Sequence, residues 1–275
     1  MSTRRILTLL TDFGLSDAYV GIMKGVIAAI APEVHVIDLT HQIPPQNIAA
    51  ARFNLMNAYP YFPEGTVHVA VVDPGVGGSR RAIALQLPAG FFVGPDNGVL
   101  DGVLSQYGRD PSVQGVDLNN PAYWRNARPS STFHGRDIFA PVGAHLATGV
   151  SLQELGTAIS PDSLVEFDIP KVQKTTTQIT GYVQHIDHFG NVITTISGDE
   201  VRSLRWSVKV KHTQIPSRHT YGESAIGEML ALIGSHGWIE IAVNGGSAQA
   251  RLQIGIRDAV TVYRVERDTQ SGNSL

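Results

Sequence analysis

The sequence predicts an α/β protein: an N-terminal, mostly parallel sheet with flanking helices, plus a smaller C-terminal antiparallel β-barrel or sandwich. Three observations predict it. Apolar strand-like runs alternate with helix-periodic segments as far as Ala147. Strand and helix in alternation build a parallel sheet covered on both faces. Near Ser151 the pattern changes to short β-branched runs separated by Gly-rich turns, the mark of a small antiparallel domain. Lastly, polar residues stand next to glycine or proline where apolar runs end, which in an open α/β sheet is the mouth of the ligand crevice.

Taken in order, Ile6–Leu10 reads as a buried strand, and Asp17 to Ile30 as a helix with Val20, Met23, Ile27 and Ile30 on one face. Asp17 suits its start. Pro32 ends that helix, Val34–Leu39 is a strand, and Pro45 to Tyr59 a second helix opened after Pro44-Pro45. Val67–Val72 is a strand ending in Asp73-Pro74-Gly75. Ala82–Leu87 and Phe91–Val93 are short strands around Pro88-Ala89-Gly90. Asn97 to Tyr107 reads as helix, Val113–Leu118 as strand and Asp137 to Ala147 as helix. In the second half, strands are expected at Ile179–Ile186, Asn191–Ile196, Val208–Val210, Trp238–Val243, Ala250–Ile254 and Ala259–Val265, with a helix-like piece at Ile226–Ile233. The expected organisation is an N-terminal domain over 1–160, a linker over 161–176, a β domain over 177–267 and a frayed tail over 268–275.

Composition narrows the function. Of 275 residues, 43% are hydrophobic and 16% charged, which permits a sizeable core. A net charge of −3 argues against a nucleic-acid-binding surface. There is no cysteine, so disulfides, thiolate metal sites and cysteine nucleophiles are excluded. The apolar start is short, contains Thr8 and reaches Asp12 at once, which fits a buried strand better than a signal peptide. No stretch has the roughly 18 uncharged apolar residues of a membrane span. A cytoplasmic protein without a membrane or nucleic-acid partner is expected.

Three segments carry the chemistry: Thr11-Asp12-Phe13-Gly14, Asp73-Pro74-Gly75-Val76-Gly77, and Thr132-Phe133-His134-Gly135-Arg136-Asp137. Together with Arg80 and Arg81 they offer carboxylates, guanidinium groups and one imidazole, a set able to bind a cationic small molecule and activate a water. Asp12, just past a strand, can accept hydrogen bonds from the cis hydroxyls of a ribose; a turn or helix-cap aspartate is the commoner use of such a residue. The 73–81 segment lacks the Walker lysine and the GxGxxG pattern, so it does not match a phosphate loop. It reads equally as a catalytic loop or as a hairpin turn with solvated arginines. His134 precedes a helix, whose N-terminus disfavours the protonated ring and keeps the imidazole neutral; a capping histidine is the structural alternative. Asp187-His188-Phe189-Gly190-Asn191, Ser235-His236-Gly237-Trp238 and Asn244-Gly245-Gly246-Ser247 are loops with polar groups for a ligand or for a tight turn. No standard metal-ligand spacing occurs, although Asp12, Asp73 and Asp96 could gather at strand ends around Mg²⁺.

The ordered set TDFG, DPGVGxxRR, TFHGRDIFAP, IDHFGN and the C-terminal GSA resembles the S-adenosyl-L-methionine (SAM) hydroxide adenosyltransferase family, from about Ile6 to Val265. That family, also called SAM hydrolase (adenosine-forming), is related to enzymes that fluorinate and chlorinate SAM. The resemblance implies hydrolysis of SAM to adenosine and L-methionine without a cofactor. It also implies a homotrimer whose sites lie between the N-domain of one subunit and the C-domain of the next. It implies a water-activating triad of Asp73, Arg80 and His134, with Arg81 an adjacent alternative to Arg80. Asp12 would hold the ribose, and Asp17, Asp187 and Ser235 the methionine portion. Phe189, Asn191 and Tyr221, with backbone groups near Val243 and Gly245, would frame the adenine.

This chain departs from the pattern at His236, where the family has an arginine. The halogenases carry other residues at the positions of Asp73 and His134, a serine at that of Gly135, a tryptophan near that of Ile193, and an insertion after that of Leu87. The differences at Asp73, His134 and Gly135 and the insertion favour hydroxide over halide, and the tryptophan bears on packing around the adenine. On this reading Asp73 orients Arg80, the guanidinium favours hydroxide character, and neutral His134 accepts the proton. The alternatives are a SAM-dependent halogenase and a non-catalytic SAM- or adenosine-binding module.

Overall fold

The computed structural model describes residues 5–265 apart from 109 and 203. It divides into two compact units between Asp168 and Ile169. The tail expected over 268–275 lies outside the described residues.

The N-terminal unit is built on β1 (Ile6–Thr11), α1 (Tyr19–Ile30), β2 (His35–Thr40), α2 (Ile48–Ala58), β3 (Thr66–Val71), β4 (Ala82–Leu87), β5 (Gly90–Pro95), α3 (Asp101–Tyr107), β6 (Gln114–Asp117), α4 (Ala140–Thr148) and β7 (Thr157–Ile159). Its seven strands lie in the order β2-β1-β3-β5-β4-β6-β7. The first four in that order are parallel, and β4, β6 and β7 then pair antiparallel, so five strands point one way and only β4 and β7 the other.

Buried on both faces, β1 and β3 are nearly uninterrupted apolar runs, as central parallel strands require. Period-two alternation divides their side chains. Leu7 and Leu9 join Met23 and Ile27 of α1 and Val142 of α4 in one core layer. Leu10 faces the other way, with Ala51 and Leu55 of α2 and Val103 in the first turn of α3. The chain leaves β1 toward β2 on one side and returns as β3 on the other. A crevice therefore opens beyond the carboxyl ends of β1 and β3, where Thr11 pairs with Val71. Asp12 and Asp73 lie just past these ends.

One polar group inside this sheet has a measurable consequence. His68, in the middle of β3, is 1% exposed, stacks on Phe92 with ring centroids 4.9 Å apart, and shares a 2.8 Å hydrogen bond between Nδ1 and Thr8 Oγ1. Burial lowers its pKa to about 4. The unfolded chain therefore binds the extra proton, and stability falls as pH drops from about 6.5 toward 4, by about 3 kcal/mol for this one group. Urea unfolding across that window is expected to show the loss, and His68→Leu to flatten the slope.

The C-terminal unit contains β8 (Gln173–Lys174), β9 (Gln178–Ile186), β10 (Val192–Ser197), β11 (Arg205–Val210), β12 (Thr213–Pro216), β13 (Met229–Ile233), β14 (Trp238–Val243), α5 (Ala248–Leu252) and β15 (Ala259–Val265). Antiparallel pairing gives the order β12-β11-β15-β9-β10-β14-β13, with β8 beside β9. A bridge between Ser217 and Ala231 brings the two ends together into a nearly closed barrel. Ile179, Val183, Val208, Ile239, Ile241 and Val262 fill it.

Several elements differ from expectation. Ile226–Ile233 reads as helical because Met229-Leu230-Ala231-Leu232 favours helix, yet Met229–Ile233 is a strand paired along its length with β14. Ala250–Ile254 reads as strand but lies largely in α5, whose N-cap Ser247 Oγ accepts from Ala250 N at 3.1 Å. The expected helix from Asn97 starts only at Asp101, after a turn. The helix expected from Asp137 begins as a π-helical turn, Gly135–Phe139, before α4 proper. Strands β7 and β12 fall where no strand is expected, and β8 lies in the expected linker.

Candidate active site

In the N-terminal unit, a cleft of about 360 Å³ lies at the switch between β1 and β3. Asp12, Gln46, Asp73, Thr132 and His134 line it, with Phe13, Tyr19, Val71, Val76 and Phe133 among the apolar walls. Phe13, Tyr19 and Phe133 pack edge-on or tilted, with centroids 5.2–5.9 Å apart.

Asp73 is held by Arg80. Nε lies 3.0 and 3.1 Å from the two carboxylate oxygens, and Nη2 closes a very short contact to Oδ2. The same Nη2 lies 2.7 Å from Nδ1 of His134. The guanidinium sits 5.4 Å from the centroid of the Phe139 ring, and only 11% of the Arg80 side chain is exposed. Glycine makes the arrangement possible. Gly77 has φ +75°, and a Cβ there would lie 2.2 Å from the Ser131 carbonyl oxygen. The 73–80 loop can therefore lie directly on the 130–134 segment, bringing Arg80 to His134.

Asp137 anchors the second loop. Its 1%-exposed carboxylate accepts from Ser130 N at 2.8 Å and from Arg136 Nε and Nη2 at 2.7 Å. The Arg136 hydrogen bonds hold this carboxyl below the usual range.

The pKa of His134 is lowered by burial first and by the Arg80 charge second. An arginine N–H can only donate, so Nδ1 accepts, and the proton of the neutral ring sits on Nε2. In that tautomer the ring offers a donor at Nε2 and has no lone pair to spare. This differs from the expected role of His134 as proton acceptor. The carboxylate of Asp73 is the acceptor beside it on the cleft wall.

Of the two arginines, Arg80 faces the cluster. Arg81 turns away to Asp96, with Nε at 2.9 Å and Nη2 at 2.6 Å, and to the Ser163 carbonyl at 2.6 Å. The possible Mg²⁺ site of Asp12, Asp73 and Asp96 does not assemble. Arg80 and Arg81 occupy two of these carboxylates, Asp12 accepts from Gln46 N at 2.7 Å, and no metal-holding acidic or histidine group of three forms among the described residues. Asp12 keeps its other carboxylate oxygen available on the cleft wall. Asp17 is exposed and does not line the cleft.

In the C-terminal unit, a second cleft of about 480 Å³ is lined by Phe189, Asn191, Tyr221, Val243 and Gly245, together with Asn244 and Gly246. The five expected residues thus converge, and Phe189 stands 74% exposed. Asp187 is not on that wall. Its carboxylate accepts from Phe189 N, Asn191 N and Asn191 Nδ2 at 2.8–2.9 Å, tying the turn that carries both residues. Gly190, at φ +81°, lets this turn pack against Ser247, where a Cβ would meet Oγ at 2.1 Å. Ser235 is exposed and also lies off the cleft. The sequence reading missed Glu240, a 4%-exposed acid that accepts from Tyr221 Oη at 2.6 Å.

A family model for the SAM hydroxide adenosyltransferase N-terminal domain matches residues 7–156, and one for the C-terminal domain of the same family matches 181–261. The chain belongs to the SAM hydroxide adenosyltransferase family. Among its relatives is the (R)-S-adenosyl-L-methionine hydrolase of Salinispora arenicola, 42% identical over 95% of this chain and 99% of that one. A fluorinase of Nocardia brasiliensis is more distant, 26% identical over 89% of this chain and 92% of its own. The crystal structure of an uncharacterized conserved protein from Thermotoga maritima superposes with a TM-score of 0.85 at 36% identity, covering 94% of this chain and all of that one. Both units of this family member therefore carry a family domain, and each has its own cleft.

Proposed function

We propose that this chain hydrolyses SAM to adenosine and L-methionine by in-line attack of water at C5′. The observation that carries the reading is that Asp73 and His134, joined by Arg80, stand together on the wall of the switch-point cleft, in a chain of this family. The electron balance is simple. The C5′–S bond breaks with its pair going to sulfur, which leaves as a neutral thioether. An O–C5′ bond forms, and one proton of the water passes to the Asp73 carboxylate and from there to solvent.

Water is a weak nucleophile, so the protein's task is to place and polarise it. His134 Nε2–H would donate to the water oxygen, and Asp73 would accept one of its hydrogens, leaving a lone pair directed at C5′. Arg80 holds both groups in register and keeps Asp73 charged. Positioning of this kind can supply roughly 7–11 kcal/mol of barrier lowering. Asp12 would take the ribose hydroxyls, and the open faces of Phe189 and Tyr221 would frame the adenine. The homotrimer, with each site shared between an N-terminal unit and the C-terminal unit of a neighbouring protomer, is part of this proposal. So are Asp17, Asp187 and Ser235 as holders of the methionine portion, a cytoplasmic location, and the absence of a metal or organic cofactor.

Chromatography of SAM incubated with the purified protein is expected to show adenosine and methionine in equal amounts. Adenosine formation is expected to be unchanged by EDTA. A 5′-halogenated nucleoside appearing when chloride or fluoride is added would instead indicate halide transfer. Calorimetric binding of SAM without any adenosine would indicate a non-catalytic module. Loss of activity in EDTA, restored by Mg²⁺, would overturn the metal-free scheme.

A further inference from the structure

We infer that Glu240 is a positioning residue for base recognition, acting through Tyr221, with His236 and Trp238 as its support. The inference rests on the proposed function in taking a purine nucleoside as the occupant of the C-terminal cleft. It goes further in giving work to a buried acid that contacts no cleft space.

Glu240 lies on β14 between Ile239 and Ile241, which face the barrel core. Alternation puts Glu240 on the opposite face, where an acid is ordinarily solvated. Here it is 4% exposed. Both of its oxygens face donors. Oε1 accepts from Tyr221 Oη at 2.6 Å, and Oε2 lies 3.2 Å from His236 Nε2. The histidine tautomer follows from its other nitrogen. Trp238 N donates to Nδ1 at 3.1 Å, so the neutral ring carries its proton on Nε2 and donates to Glu240. Only a carboxylate offers an acceptor on each of two oxygens. A glutamine would satisfy one neighbour and turn its NH₂ toward the other. Burying this acid serves no packing purpose, because an apolar side chain would cover the strand at lower cost.

What the relay does is fix a ring. Tyr221 is 44% exposed and lines the cleft, so packing encloses its ring only in part. Its hydroxyl, anchored to a buried carboxylate, holds the ring plane in place before any ligand arrives. A platform fixed in advance does not lose side-chain freedom when a planar base stacks on it. His236 is committed to the same acid. At the position where the family has an arginine, this chain therefore uses its side chain to support the base platform.

Adenosine affinity measured by calorimetry, together with SAM turnover, tests the inference on Tyr221→Phe, Glu240→Leu and the double variant. Thermal midpoints serve to confirm that each is folded. Each single change is expected to weaken adenosine binding about tenfold, the effect of losing one strong hydrogen bond. KM for SAM should rise by more than kcat falls. The double variant should bind no worse than the weaker single one, because both changes break the same link. Additive losses, an unchanged adenosine affinity in Tyr221→Phe, or a kcat loss with constant KM would overturn the inference. A wild-type protein that binds adenosine with this coupling yet leaves SAM intact would overturn the proposed hydrolysis and leave the Glu240 assignment standing. Wild-type protein that does not bind adenosine would overturn the assignment itself.

Discussion

Replacing His134 with alanine is expected to lower kcat for SAM hydrolysis about 10²–10³-fold, the usual cost of removing one donor aimed at a reacting oxygen. Binding of adenosine should change far less, because the imidazole faces the water and not the sugar or base. The pH profile supplies a second readout. Burial and the neighbouring Arg80 charge lower the His134 pKa, so the neutral ring persists below the ordinary value of 6.5. Activity is therefore expected to hold as pH falls through 6.5 and to drop only at more acidic values. Once protonated, Nδ1 bears a hydrogen facing the Arg80 N–H, and the 2.7 Å contact between them is broken. Single-turnover rates from pH 5 to 8 would check both points. An alanine variant with full activity, or an acid limb above 6.5, would remove His134 from the mechanism. Asp12→Ala, by contrast, should raise KM as well, since it meets the ribose.

Asp137→Ala is expected to cost about 3 kcal/mol of stability, read as a lowered urea midpoint. Breaking a buried ion pair by deleting one partner typically costs roughly 3–5 kcal/mol. The lower end applies because the Arg136 side chain is 29% exposed and recovers part of its hydration. The effect should reach the active site. Asp137 is what fastens Ser130 N, and the 130–134 segment carries His134 onto the glycine loop. The variant should therefore lose turnover even at temperatures where it stays folded. Full activity with wild-type stability would show that the second loop is held by other means.

The parts of the fold that were legible in the sequence are those where burial is dictated by unbroken apolar runs. Ile6–Leu10 and Val67–Val72 are short apolar runs that stop at polar and turn residues, which fits interior strands and puts those polar residues at the strand ends. That suffices to put Asp12 and Asp73 together once the sheet is recognised as doubly wound. The elements misread are those where local preference and final pairing disagree. Met229–Ile233 has helical residues but is paired to β14 along its length, and Ala248–Leu252 is a helix whose cap, Ser247, is a signal the sequence did contain.

By itself, then, the sequence determined the two-part α/β and β architecture, the strand ends that carry the acids, and the motifs that mark the family. Tertiary structure alone decided which arginine faces inward. Arg80 and Arg81 are chemically identical neighbours, and only the placement of Asp73 and Asp96 on different strand ends divides them. It alone decided the His134 tautomer, since the Arg80 donor comes from a loop 54 residues away. It also decided that Glu240, outward by alternation, is buried. The physical reason is common to all three. Hydrogen-bond partners distant along the chain assign direction and protonation, and local periodicity carries no information about them.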